Sequence, residues 1–286
     1  MVKTIGNPLS WAAQGLSGAG HMVGDATDAL RGEVTQPPEV KTLTIEDLGL
    51  ALRKGYEDFK RFRSDVMFLV LIYPIIGVCL SVIAFNQALL PMLFPLGAGF
   101  LLLGPIAAVG LYEMSRRGER DTDVGWGAAL SVLKAQNVGP LLVMALYLIG
   151  IFLLWILSAM QIYHWTLGPQ PPESLGQFAL DIATTGAGWM MVILGMTVGA
   201  CFAALVLAIS LTTLPMLIDQ RVGLVIAVIT SLRVARKNPV TVATWGLIVA
   251  ASMLLGTLPF FLGLIVVLPI LGHATWYIYR AAVPRG

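Results

Sequence analysis

Apolar residues in this chain run too long for the core of a soluble globule, and the polar residues between the runs fall into helical stripes. Runs of about twenty residues or more lie near 66–85, 89–112, 139–160, 187–218, 241–257 and 259–279. A hydrocarbon core of about 30 Å needs roughly twenty helical residues to cross, so the pattern predicts six spanning helices. An amphipathic segment precedes each pair of spans. Ile45, Leu48, Leu52, Tyr56 and Phe59 recur at helical spacing, with Glu46, Asp47, Arg53, Lys54, Glu57, Asp58 and Lys60 on the opposite face. Trp126, Leu130 and Leu133 behind Asp123 form a second such stripe; Val222, Val225, Ile229 and Leu232, closed by Arg233, Arg236 and Lys237, form a third. Each is expected to lie in the plane of the membrane interface.

This alternation predicts an all-α membrane protein built as three tandem hairpins, near 44–112, 123–218 and 221–280, within a membrane domain spanning 41–282. Pro95, Gly99, Pro105 and Arg116 correspond to Pro259, Gly263, Pro269 and Arg280 at one constant offset, which supports an internal repeat. Residues 1–40 are rich in Gly, Ala and polar residues, break at Pro37-Pro38, and read as a flexible or partner-docking arm; 283–286 form a short tail. Ser174 followed by Gln177 predicts a capped helix leading into the fourth span, with Tyr163, Trp165 and Trp189 as interfacial anchors.

Composition agrees: 57% of residues are apolar and 12% charged, too little polar surface to wrap a soluble domain of this length. The charges orient it. All 18 Lys and Arg residues can be placed on one side of the six spans, and the positive-inside rule puts both termini in the cytoplasm. The net charge of +2 implies no nucleic-acid partner. Residues 1–40 lack the apolar core of a secretory signal, so the first span is expected to be retained. Cys79 and Cys201 fall in predicted spans, where they read as small apolar residues.

Candidate chemistry is sparse. No span carries a charge at its centre, the usual mark of an ion or proton pathway. His273 is the best buried polar candidate, with Tyr112 near a possible cavity; a hydrogen bond to a neighbouring helix is the plainer reading of the histidine. Glu113, Arg116 and Arg117, and Asp219 with Arg221, sit at cytoplasmic span ends, where ion pairs fixing hairpin registry are expected. Gly195 and Gly199 make a small-xxx-small packing face. The three histidines, His21, His164 and His273, are assigned to the arm, an outside loop and a span, so the chain cannot ligate a haem alone. The sequence shows no phosphate-binding loop, nucleophile elbow or dinucleotide fingerprint, so no catalytic residue, metal or cofactor is expected.

Phe94-Pro95-Leu96-Gly97-Ala98-Gly99-Phe100, Gly104-Pro105 and Gly110 through Arg117 resemble the bacterial integral membrane family called domain of unknown function 2189. So do Leu214-Pro215-Met216-Leu217, Asn238-Pro239 and Leu268 through Trp276, and the resemblance covers roughly 41–282. Members are sometimes labelled cytochrome c oxidase subunits; the histidine count opposes a catalytic version of that label but permits an accessory role. The resulting expectation is a non-catalytic accessory or assembly subunit of a respiratory or photosynthetic complex in the bacterial cytoplasmic membrane. The alternative is a transporter or channel for a small neutral or amphipathic solute.

Overall fold

The computed structural model describes residues 36–62, 87–120, 124–125, 127–134, 138–259 and 261–284. Its regular elements there are helices: α1 (Ile45–Arg61), a 3₁₀ turn (Gln87–Met92), α2 (Leu93–Leu102), α3 (Gly104–Ala107), α4 (Val109–Gly118), α5 (Gly127–Leu130), a second 3₁₀ turn (Ser131–Lys134), α6 (Val138–Thr166), α7 (Leu175–Thr184), α8 (Gly186–Ser210), α9 (Thr213–Asp219), α10 (Leu224–Lys237), α11 (Pro239–Thr257) and α12 (Leu264–Ala282). Among the described residues, four stretches are long and apolar enough to cross a membrane: Val138–Thr166, Gly186–Asp219, Pro239–Thr257 and Leu264–Ala282. The expected first span, 66–85, lies outside the described residues.

The expected second span is not one helix. It is divided into the first 3₁₀ turn, α2, α3 and α4, with Pro91 inside the 3₁₀ turn and Pro105 at the start of α3. Each proline removes one backbone donor and crowds the carbonyl four residues earlier, so a straight helix cannot run through both. The same reasoning explains the break between α8 and α9 at Leu211–Thr212: Pro215 sets its ring against the carbonyl of residue 211. Pro239 behaves oppositely. It opens α11 at a position where no donor is needed. The expected spans 241–257 and 259–279 leave almost no connection between them, whereas the helices are separated by a longer one reaching Gly263, in which Phe261 takes a left-handed backbone (φ 65°). Gly263 permits that return, because a Cβ there would come within 2.8 Å of the Gly256 backbone.

Lipid-facing and protein-facing sides separate cleanly on α6. Met144, Leu148, Ile151, Trp155, Ala159 and Ile162 form its buried stripe, while Leu142, Leu146, Leu153, Leu157 and Met160 are exposed. The Trp155 indole donates to the Pro95 carbonyl (2.8 Å), and Gly99 lets α2 close onto Phe152 and Trp155. Ser174 caps α7 by accepting from the Gln177 backbone N–H, but α7 does not continue into α8: Thr185, in an extended conformation, caps α8 separately. Trp165 and Trp189 are exposed at that end of the bundle. Buried fractions of the apolar windows are 22%, 11% and 28% for the first three candidate spans and 50% for α12, so α12 is the interior helix.

Two expected interfacial helices take a different form. The second is shortened to α5 and a 3₁₀ turn; Gly125 and Gly127 sit where its first turn was expected, and glycine disfavours helix by about 1 kcal/mol relative to Ala. The first, α1, starts with a complete capping box between Thr44 and Asp47. It does not lie free in the interface plane but runs antiparallel along α12, from the Lys41 N–H donating to the Ala282 carbonyl (2.9 Å) to the Phe62 ring against His273. Closest approach is at Gly55, where an added Cβ would stand 2.6 Å from the Ile270 carbonyl oxygen and 2.7 Å from the Ala274 nitrogen. The buried stripe is therefore Leu48, Ala51, Gly55, Asp58 and Phe59, rotated from the predicted one; Ile45 and Tyr56 are exposed.

Because backbone atoms and not flexible side chains oppose Gly55, Gly55→Ala is expected to destabilise the protein by about 1–3 kcal/mol. Thermal unfolding of the purified protein in detergent, followed by tryptophan fluorescence, measures this; an unchanged midpoint would mean the two helices can separate at no cost.

Candidate functional site

Rotation of α1 onto α12 carries Asp58, which the simple helical pattern assigns to the solvent face, into the interior. There it meets α4 and α12. The Ser115 hydroxyl donates to Asp58 Oδ2 (2.6 Å), the Tyr277 hydroxyl donates to the same oxygen (3.0 Å), and Ser115 Oγ lies 2.7 Å from His273 Nδ1. His273 Nδ1 is 3.8 Å from Asp58 Oδ2. Ser115 and His273 are completely buried, and Asp58 nearly so. With the serine proton committed to Asp58, Nδ1 must carry the proton that the serine oxygen accepts, which leaves Nε2 as an unprotonated acceptor. Nε2 is buried without a hydrogen bond among the described residues. The backbone of Leu111 is the further polar group beside the ring.

The result is a four-residue relay, Tyr277–Asp58–Ser115–His273, joining three helices. It contains the residue types of a hydrolytic triad in a different order. Serine lies between the acid and the histidine, so the histidine cannot act as base toward a serine proton already given to the carboxylate. The relay can hold the three helices together, and it leaves Nε2 as a hydrogen-bond acceptor. Tyr112 is buried in the larger apolar cluster, one turn before Ser115 on α4.

Charged residues beyond the relay form a second tier at the same end of the bundle. Glu113 receives Arg116 (2.7 Å) and Arg117 (2.7 Å), and Arg117 also donates to Ser131. Glu119 accepts from the Trp276 indole (2.9 Å) and from Arg280 (3.2 Å). Asp219 accepts from the Tyr279 hydroxyl (3.0 Å), with Arg280 4.0 Å away; Arg221 lies on the connection to α10. Gly199 packs against Trp155, but nothing approaches Gly195 within 4 Å. Among the described residues no cluster of metal-ligating side chains occurs.

Sequence reasoning singled out His273 and missed its partners. Asp58 was readable only from Gly55, whose presence four positions after Ala51 marks an alternative stripe through 48, 51, 55, 58, 59 and 62. Ser115 and Tyr277 carried no such mark.

Four long apolar helices with broad exposed apolar faces define a multi-pass integral membrane protein. Residues 92–219 are matched by the family model "Predicted integral membrane protein (DUF2189)". The motifs at 94–117 and 214–217 lie inside that match, while those at 238–239 and 268–276 lie beyond it. No match was found among curated proteins or solved structures.

Burial pushes the Asp58 carboxyl up from its ordinary 3.8, against hydrogen bonds from Ser115 and Tyr277 and the charge of Arg61. The folded state thus holds this proton more tightly than the unfolded chain. The group's contribution to stability therefore rises as pH falls from neutral through the raised value and levels off below 3.8. Asp58→Asn keeps an oxygen acceptor and removes the charge. The difference in unfolding midpoint between wild type and Asp58→Asn should move in the wild type's favour on acidification from pH 7 to 4; a pH-independent difference would show that Asp58 does not titrate in this range.

Proposed function

We propose that this protein is a non-catalytic accessory or assembly subunit of a larger bacterial membrane complex, respiratory or photosynthetic, with its charged end in the cytoplasm. The observation that carries this reading is the division of labour between its surfaces. Its buried polar and charged groups are largely engaged with one another in the relay and the ion-pair tier. Its apolar spans present wide uncovered faces, above all α8, where 11% of the apolar window is buried. In lipid, helix association depends on close packing and not on hydrophobicity, and α8 exposes Ala200, Ala203 and Ala204 beside Ile193 and Met196. Such a face suits a neighbouring protein helix. A tandem-hairpin repeat, expected from the sequence, would fit the same reading as a scaffold made by duplication.

Isolation from native membranes in mild detergent, through a tag on the C terminus, is expected to recover a stoichiometric membrane partner with haem or pigment absorbance. Ala200→Leu adds bulk on that exposed face, so it should leave insertion intact and reduce the recovered partner on the order of tenfold. The alternative, a channel or transporter for a small neutral or amphipathic solute, is favoured by the proline-divided segment from Gln87 to Gly118. Solute flux in proteoliposomes that His273→Ala alters, together with a colourless protein recovered alone, would replace the accessory reading with that one.

A further inference from the structure

At the junction of α10 and α11, away from the relay, an open cleft of about 570 Å³ is lined by Pro37, Pro38, Glu39, Arg233, Arg236 and Lys237, with Val40 at its base. Its walls are fixed. Lys237 Nζ donates to the Val40 carbonyl (2.6 Å), Asn238 accepts from the Leu43 N–H (2.7 Å) and donates to the Lys41 carbonyl (3.2 Å), and Thr241 donates to the Leu43 carbonyl (3.0 Å). Segment 40–43 is thereby pinned to the end of α10 and the start of α11. The cleft's lining has three cations and one carboxylate, Glu39. Arg233 and Arg236 are exposed and make no ion pair or hydrogen bond among the described residues.

Basic residues at a helix C-terminus are favoured by the helix dipole, which accounts for their presence on the last turns of α10 but not for a cleft between them and a pinned proline wall. Two further features identify the missing counter-charge. First, the cleft adjoins Pro239, where a membrane-crossing helix begins, so it lies at headgroup depth. Second, the outward face of α10 leading to it is apolar: Val225, Ile229 and Leu232 are exposed at spacings of four and three residues, and Val240 continues the strip onto α11. A soluble anion has no use for that strip, whereas a lipid supplies an acyl and glycerol region to cover it.

We propose that this cleft binds the phosphate of an anionic phospholipid, held by Arg233 and Arg236, with the lipid's apolar portion against Val225, Ile229 and Val240. Guanidinium groups suit the role because they grip a phosphate in two-point fashion. Lys237 is spent on the protein's own backbone and shapes the wall.

Native mass spectrometry of the full-length protein, taken from nanodiscs holding equal phosphatidylcholine and phosphatidylglycerol, tests this. Wild type should retain phosphatidylglycerol preferentially. Arg233→Gln/Arg236→Gln should weaken the preference by about fivefold for each cation removed, and Arg233→Lys/Arg236→Lys should keep most of it. Arg53→Gln/Lys60→Gln removes the same charge from the exposed face of α1 and should change nothing. Helical circular dichroism establishes that each variant is folded, and the lysine pair preserves the comparison if the glutamine pair is not. The proposal is overturned by a wild type without headgroup preference, or by equal losses in the two glutamine pairs. Displacement of the lipid by inorganic phosphate would also overturn it, because the site would then serve a soluble anion.

Discussion

The contact between α1 and α12 at Gly55 organises the charged half of this molecule. Two helix backbones approach there more closely than any side chain would allow, and everything nearby takes its position from that approach. It turns α1 so that Asp58 faces inward, places Phe59 and Phe62 in the smaller apolar cluster with Leu111 and Met114, and brings segment 40–43 to the α10–α11 junction. A buried carboxylate is costly unless it is hydrogen-bonded, and two hydroxyls from different helices donate to Asp58 Oδ2. Backbone geometry and side-chain chemistry thus fix each other: the glycine admits the acid, and the acid's hydrogen bonds fix which helices meet it.

Lipid imposes the complementary constraint. Where backbone polar groups cannot reach water they must be paired inside the protein, so proline breaks are expected beside other protein and not in a lipid-facing helix. The broken segment from 87 to 118 follows this rule, lying against α6 through Gly99 and against α12 through Gly272, whose Cβ position is occupied by Leu111. The unbroken α6 carries a wide lipid-facing stripe. The same division appears in the charges, which gather on α1, α4 and the ends of α9, α10 and α12, leaving the exposed faces of α6, α8 and α11 apolar.

Element type was legible in the sequence because apolar runs of span length have few alternative readings, and four of the expected spans stand with shifts of a few residues. Prolines were recognisable as disturbances, and where they divide a helix follows from the residue four positions earlier. Rotation of an amphipathic helix was not legible. The difference between a stripe through Leu52 and Tyr56 and one through Ala51 and Gly55 is one position, and it depends on a partner more than two hundred residues away. His273 stood out because a histidine in an apolar run is conspicuous, whereas a serine on α4 or a tyrosine on α12 is ordinary there. Only Ser115 of the relay falls in the stretch matched by the family model.

Pairing α1 with α12 joins the first and the last helix of the described chain, and that has a consequence for biogenesis. Membrane helices are delivered in order during synthesis, so α1 waits, with the inward-facing Asp58 uncovered, until α12 has been made. The bundle closes last where its polar interior is most demanding, and any interruption before α12 leaves an unpaired carboxylate available to quality-control proteases. In this arrangement the described helix that is made first is among the last to be fully packed.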